Sequence, residues 1–278
     1  MPSQFFMKIA LSAFLTLFIQ IAAAKEFTFI AISDMPYGEN QAKLLEETII
    51  PAMLQSSSPF VIHMGDIKSG GSACSDSLLK KRHAQIMRMH PEFVFYTPGD
   101  NEWTDCDRRK TGRPVSELKK LDDLRHLFFS SKPPYPESWQ VTQQALYPEN
   151  KRWQYEQASF ATVHLVGTRN GRININKDDK NFALAQVAAR DAANAIWIAE
   201  LFEDAKTQKS DAIIIATQAD VEHELDALSA QYGQPREAIV KALSSNVGAL
   251  IDGIVRTKTI DRLIEQAKRV PATEPTGV

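Results

Sequence analysis

Phe27-Thr28-Phe29-Ile30-Ala31-Ile32-Ser33-Asp34 opens a pattern that recurs twice: Phe60-Val61-Ile62-His63-Met64-Gly65-Asp66, then Phe93-Val94-Phe95-Tyr96-Thr97-Pro98-Gly99-Asp100-Asn101. Each is a short apolar run, too compact for a helix and rich in β-branched and aromatic residues, that ends on an acidic or amide group. Carboxylates at the carboxyl ends of successive strands of an α/β sheet converge on one crevice. Such a crevice is where these sheets bind ligands, and clustered negative charge there calls for a cation.

The intervening segments supply the crossovers. Glu39–Leu54 places Ala42, Leu45, Ile49 and Met53 on one helical face, with Pro51 expected to kink or end it; Ser72–Met89 reads as a second helix. Strand, helix, strand, helix, strand is the pattern of right-handed crossovers in a parallel sheet. The passage from Thr104 to Asn150 is longer and more polar, with Arg108-Arg109-Lys110, a predicted helix at Ser116–Phe129 and the Pro-rich Lys132-Pro133-Pro134-Tyr135-Pro136. It reads as an insertion or lid-like loop region. Trp153–Gln157 and Phe160–Val166 predict a hairpin, Asn181–Lys206 a long amphipathic helix, and Asp211–Ala216 a strand ending at Thr217-Gln218-Ala219-Asp220. Beyond it, Pro235–Leu243 and Ile260–Lys268 look helical, and Gly248–Val255 suits a strand or a turn.

The chain has 278 residues, 44% of them hydrophobic, enough for a real core in one domain. Its formal charge of −2 gives no basic field, so nucleic acid is not expected as a large-surface partner. Residues 1–24, with Lys8, the apolar run Ile9–Ile21 and Ala22-Ala23-Ala24, have the layout of a cleavable secretory signal. The expected organisation is signal 1–24, one domain over 25–270 and a frayed tail over 271–278. Export follows, to a periplasmic or secreted compartment, without stable membrane insertion after cleavage. In an oxidising compartment the only two cysteines, Cys74 and Cys106, are expected as a disulfide on the site rim; two free thiols are the alternative.

The strand-end blocks Ser33-Asp34-Met35-Pro36-Tyr37-Gly38, Gly65-Asp66-Ile67-Lys68-Ser69-Gly70 and Gly99-Asp100-Asn101-Glu102 resemble the calcineurin-like metallophosphoesterase superfamily, in a divergent exported bacterial branch. The resemblance covers roughly Phe27 to Asp220. It implies an α/β fold in which two mixed β-sheets pack face to face between helices, an αββα sandwich. It also implies Asp34 as ligand of one metal, Asp66 as the bridging carboxylate, Asn101 as ligand of the other, and Gln218 where the family usually places a ligand His. The implied substrate is a small phosphoester, hydrolysed with divalent metal.

The departures matter equally. Pro36 replaces the His of Asp-x-His, Glu102 replaces the catalytic His after Asn, and no Gly-His-x-His follows Gln218, so the C-terminal part of the fold is expected to be incomplete. What is left is an all-oxygen ligand set for one or two hard cations, Mn²⁺, Mg²⁺ or Ca²⁺ rather than zinc. Glu102 would then serve as leaving-group acid, and Tyr37 and Lys68 as donors to phosphate oxygens. The alternative is a catalytically degenerate binding protein on the same scaffold.

Taken singly, Asp34 and Asp66 could be turn residues, and Gln218 and Asp220 could cap a following helix. His63, within an apolar strand, reads as a core histidine. His83, His90 and His126 read as surface or packing residues, and the four tryptophans as core or rim aromatics.

Overall fold

A computed structural model describes residues 26–131, 133–219 and 235 of the chain. The expected signal segment and tail, Asp220 and the C-terminal elements expected from the sequence lie outside the described residues.

The three quoted runs form β1 (Ile30–Ile32), β2 (Val61–His63) and β3 (Val94–Tyr96), paired in parallel in the order β1-β2-β3. Each strand is shorter than its apolar run. A second sheet has the order β4-β5-β6-β7, from Thr142–Gln143, Lys151–Tyr155, Ala158–Thr162 and Ala212–Ala216. There β4 and β5, and β5 and β6, are antiparallel, whereas β6 and β7 run parallel. Only the second sheet is therefore mixed among the described residues, where the sequence reading expected two mixed sheets.

Alternation along the strands divides the core. Phe60, Ile62, Met64, Phe93 and Phe95 project from one face of the parallel sheet and pack against Trp139, Trp153, Ala158, Phe160 and Ala216. Phe60 meets Phe95, Trp153 and Phe160 edge-on at centroid distances of 5.6, 5.5 and 5.1 Å, while Trp153 stacks on Phe95. Truncating one of these rings would cost about 3–5 kcal/mol. On the opposite face, Ile32, Val61, Val94 and Tyr96 pack with Leu45, Ile50, Leu79, Ile86, Leu121 and Phe128. Those six come from the helical segments 39–54, 76–87 and 117–129. Behind the second sheet, Ala161 and Val163 pack on Trp197 and Leu201 of the long helix Lys180–Gln208. Helices, sheet, sheet and helix make a layered α/β sandwich.

Local chemistry sets the helix boundaries. Ser75, Ser116 and Asp179 are N-caps whose side-chain oxygens accept from Leu78, Lys119 and Phe182 amides, so the helices begin at Asp76, Glu117 and Lys180. The second helix thus starts four residues later than the Ser72 expected from periodicity. Segment 39–54 stays helical past Pro51 because a π-helical turn, Leu45–Ile49, precedes it and absorbs the missing amide donor. Cys74 and Cys106 form a disulfide with Cα atoms 5.6 Å apart, joining the loop after β2 to the loop after β3.

Candidate functional site

The parallel ladder continues one rung beyond its strands. Met64 N–H donates to Ile32 O, Thr97 N–H to His63 O and Asp34 N–H to Gly65 O, so the three strand ends remain in register as they turn. Asp34 and Asp66 both sit in the left-handed backbone region, at φ 60° and 57°. Asp tolerates that region better than most residues, at a cost of about 1–3 kcal/mol when the surroundings hold it. Gly65, at φ 74°, and Gly99 pass in contact: a Cβ on Gly65 would overlap the Gly99 backbone nitrogen, and a Cβ on Gly99 the Asp66 carboxylate. Glycine at both positions is what lets the loops approach.

Side chains from both sheets close the network. The Tyr37 hydroxyl lies 2.7 Å from Asp34 Oδ1 and 3.2 Å from Asp66 Oδ2. Gln218, just past β7, directs its amide nitrogen at Asp66 Oδ2 (3.2 Å) and Asp100 Oδ1 (3.4 Å), while its oxygen accepts from Gly167 N–H (2.8 Å). Thr168 Oγ1 donates to Asp100 Oδ2 at 2.8 Å. Thr168, Arg169 and Asn170 form a turn of three successive left-handed residues, which aims the Thr168 hydroxyl at the carboxylates.

The electrostatics are those of a centre short of positive charge. Burial first, then the charges of Glu102, Asp100 and Asp34, raise Asp66 well above the ordinary carboxylate range. Burial, then Asp66 and Asp34, likewise hold Tyr37 as a neutral phenol. The Tyr37 hydroxyl has one proton for two acceptors, so the trio is relieved only if Asp66 keeps its proton or positive charge arrives.

Glu102 is fully buried. Its Oε1 accepts from Asp66 N–H (3.1 Å), Gly99 N–H (2.7 Å) and Tyr96 O–H (2.7 Å), while Oε2 has no partner among the described residues. Instead of facing a leaving group, it ties the ends of β2 and β3 together. Lys68 is also fully buried and donates to Asn101 O (2.6 Å) and Ser69 O (2.9 Å). Expected as a donor to phosphate oxygens, it is instead enclosed, its pKa lowered by burial against the opposing charges of Glu102, Asp105, Asp66 and Asp100. Asn101 contributes its backbone N–H to Asp66 Oδ1 at 3.1 Å, and its side-chain oxygen lies over Gly70 beside Asp105. Gln218 reaches the centre as a hydrogen-bond donor.

Asp34, Asp66, Tyr37 and Gln218 are thus brought together as the sequence suggested. Asp100 and Thr168 are additional members. Asp100 stood in the third block, but matching by family position selected its neighbour Asn101; nothing in the sequence marks the left-handed turn that delivers Thr168. His63 is buried with Nε2 3.3 Å from Met35 O, and burial lowers its pKa to about 4, so it is a neutral core histidine.

Among the described residues, no group of three or more His, Cys, Asp and Glu side chains is arranged to hold a metal ion. A hard cation such as Mg²⁺ is commonly held by one or two carboxylates and otherwise by water, and the Asp34 and Asp66 carboxylates, joined through the Tyr37 hydroxyl, fit that mode. No family model matches the chain, and neither the curated proteins nor the solved structures compared with it give a match.

Proposed function

We propose that the chain is an exported, divalent-cation-dependent phosphoester hydrolase of the calcineurin-like class, built on that family's two-sheet fold. The observation that carries this reading is the junction of Asp34, Asp66 and Asp100 by Tyr37 and Gln218, from opposite sheets, at the carboxyl ends of three parallel strands. The apolar segment before Lys25 and the Cys74–Cys106 disulfide support export.

Asp34 and Asp66 would hold the cation, with Asp100 beside them. When bound, it would act as a Lewis acid on a phosphoryl oxygen and lower the pKa of a water nucleophile. The Tyr37 hydroxyl and Gln218 amide, released from the carboxylates, donate to non-bridging phosphate oxygens and orient the ester. Lys68 stays enclosed beneath the loops on Asn101 O and Ser69 O. Glu102 does not reach the surface, so no acid at that position protonates the departing oxygen. The reading therefore favours esters with good leaving groups, aryl phosphates and activated diesters.

Purified chain is expected to release product from aryl phosphomonoesters or diesters in Mn²⁺ or Mg²⁺ and to lose that activity with Asp66→Asn. No turnover on either ester class with Mn²⁺, Mg²⁺ or Ca²⁺ would sink the hydrolase reading. A second reading, a non-catalytic phosphoester-binding protein, is favoured by the sealed Glu102 and by Pro36 in place of a His. It predicts saturable ligand binding without hydrolysis.

A further inference from the structure

A cavity of about 540 Å³ opens between residues 107–114 and 174–177, walled by Arg108, Arg109, Lys177, Asn174, Asn176 and Asp107 among others. That volume falls in the range of small-molecule sites, about 300–1,000 Å³. The Arg108-Arg109-Lys110 run, singled out in the sequence, has no part in the carboxylate centre.

Buried acids behind the wall fix its position. Asp105, 1% exposed, forms an ion pair with Arg108 and so orients one guanidinium. Asp107, also 1% exposed, accepts from Asn176 N–H (2.5 Å) and Nδ2 (3.1 Å). It is the one carboxylate in the wall among the described residues, and both of its oxygens are taken. Arg109 and Lys177 form no ion pair among the described residues, and the Asn174 amide has no hydrogen-bond partner there. Two cations without an ion-pair partner among the described residues, Arg109 and Lys177, beside the Asp105-bound Arg108 and the committed Asp107, with the Asn174 amide between them, make a surface that recognises a compact anion of several acceptor oxygens. Guanidinium forks match the oxygen geometry of phosphate bidentately.

We propose that this cavity binds a tetrahedral oxyanion of the phosphate class, as a second anion site separate from the carboxylate centre. Its source is either free phosphate or the phosphate end of an ester. The site adjoins the centre through Arg108, Asp105 and Gly70, whose would-be Cβ lies against the Asp105 and Asn101 oxygens. The proposal needs no cation and no turnover, so it can fail or hold independently of the hydrolase reading.

The test is calorimetric titration of the full chain, in chelator and at low salt, with inorganic phosphate and with glycerol 3-phosphate. Wild type should bind at least one of them saturably, and Arg109→Ala/Lys177→Ala should weaken that binding at least tenfold with an unchanged thermal midpoint. Lys180→Ala, an exposed lysine outside the wall, and Asp66→Asn should leave it unchanged. Tighter glycerol 3-phosphate identifies an ester end as the ligand and tighter inorganic phosphate the free ion; either ranking supports the site. No binding of either anion at 10 mM, about the limit for a weak site, overturns the proposal. So does equal affinity in the double variant, or loss of binding in Asp66→Asn.

Discussion

Gln218 Nε2 lies 3.2 Å from Asp66 Oδ2, joining positions 152 residues apart in the chain and on opposite sheets. The contact gives the acidic centre one of its few donors from the second sheet. Replacing Gln218 by Glu keeps the shape and adds a carboxylate beside Asp66 and Asp100. The expected outcome is a lower thermal midpoint in chelator and a larger rise on adding Mn²⁺ than wild type shows, since a ligand that binds only the folded state stabilises it in proportion to its affinity. Differential scanning fluorimetry with and without Mn²⁺ checks both arms.

Glu102 is expected to matter for folding before it matters for chemistry. Glu102→Ala strands the Asp66 and Gly99 amides and the Tyr96 hydroxyl in a buried position. Each lost partner costs about 1–3 kcal/mol, so a total of about 3 kcal/mol or more should appear in urea unfolding. Glu102→Gln keeps an acceptor oxygen in the same place and should cost less than half as much. Equal losses in the two variants would show that the oxygen does not hold the loops.

Glu117 sets a pH dependence of definite sign. It is 2% exposed, and burial, a hydrogen bond with Asp107 and the charges of Asp107, Asp178 and Asp105 raise its pKa to about 10. In the unfolded chain the carboxyl loses its proton near its ordinary value, so between there and about 10 the folded state holds one proton more. Its stabilising contribution is complete below the unfolded value and fades as pH rises toward 10. Acting in the opposite direction, His164, with a pKa lowered to about 4 chiefly by burial, removes stability as pH falls below its ordinary 6.5. Glu117→Gln should remove the fall in stability across the whole interval from pH 5 to about 10 and, below pH 6.5, leave the opposing loss toward acid that His164 causes more visible, as read by thermal midpoints across pH 5–10.

The disulfide closes a loop with a sequence separation of 32 and ties together the loops that carry Asp66 and Asp100. Cys74→Ala/Cys106→Ala, or reduction of wild type, should lower stability by about 3–4 kcal/mol. Denaturant midpoints in oxidised and reduced buffer measure it, and the double variant should be insensitive to reductant.

The parallel sheet was legible because its strands are apolar on both faces and stop at Gly or Asp, so each end is marked in the sequence. Their acids were legible for the same reason. The short strand Thr142–Gln143 was not, since two polar residues carry no periodic signal and owe their conformation to pairing with Lys151–Arg152. Burial of charge was equally hidden: Lys68 and Glu102 read as a phosphate donor and a leaving-group acid, because partners such as Asn101 O for the one and Asp66 N–H for the other come from a different loop and leave no mark in local spacing. Pro51 read as a kink or helix end, because a π turn is a property of the hydrogen-bond ladder and not of any one residue.

The most direct measurement of the central claim is calorimetric titration of metal-free full-length chain with Mn²⁺, wild type beside Asp66→Asn. Asn mimics the protonated carboxyl that the cation-free centre favours, so the variant should fold with a midpoint equal to or above that of wild type. Saturable Mn²⁺ binding to wild type, reduced at least tenfold by Asp66→Asn, is the predicted result. Absence of binding to wild type, or equal binding to both proteins, would contradict the account.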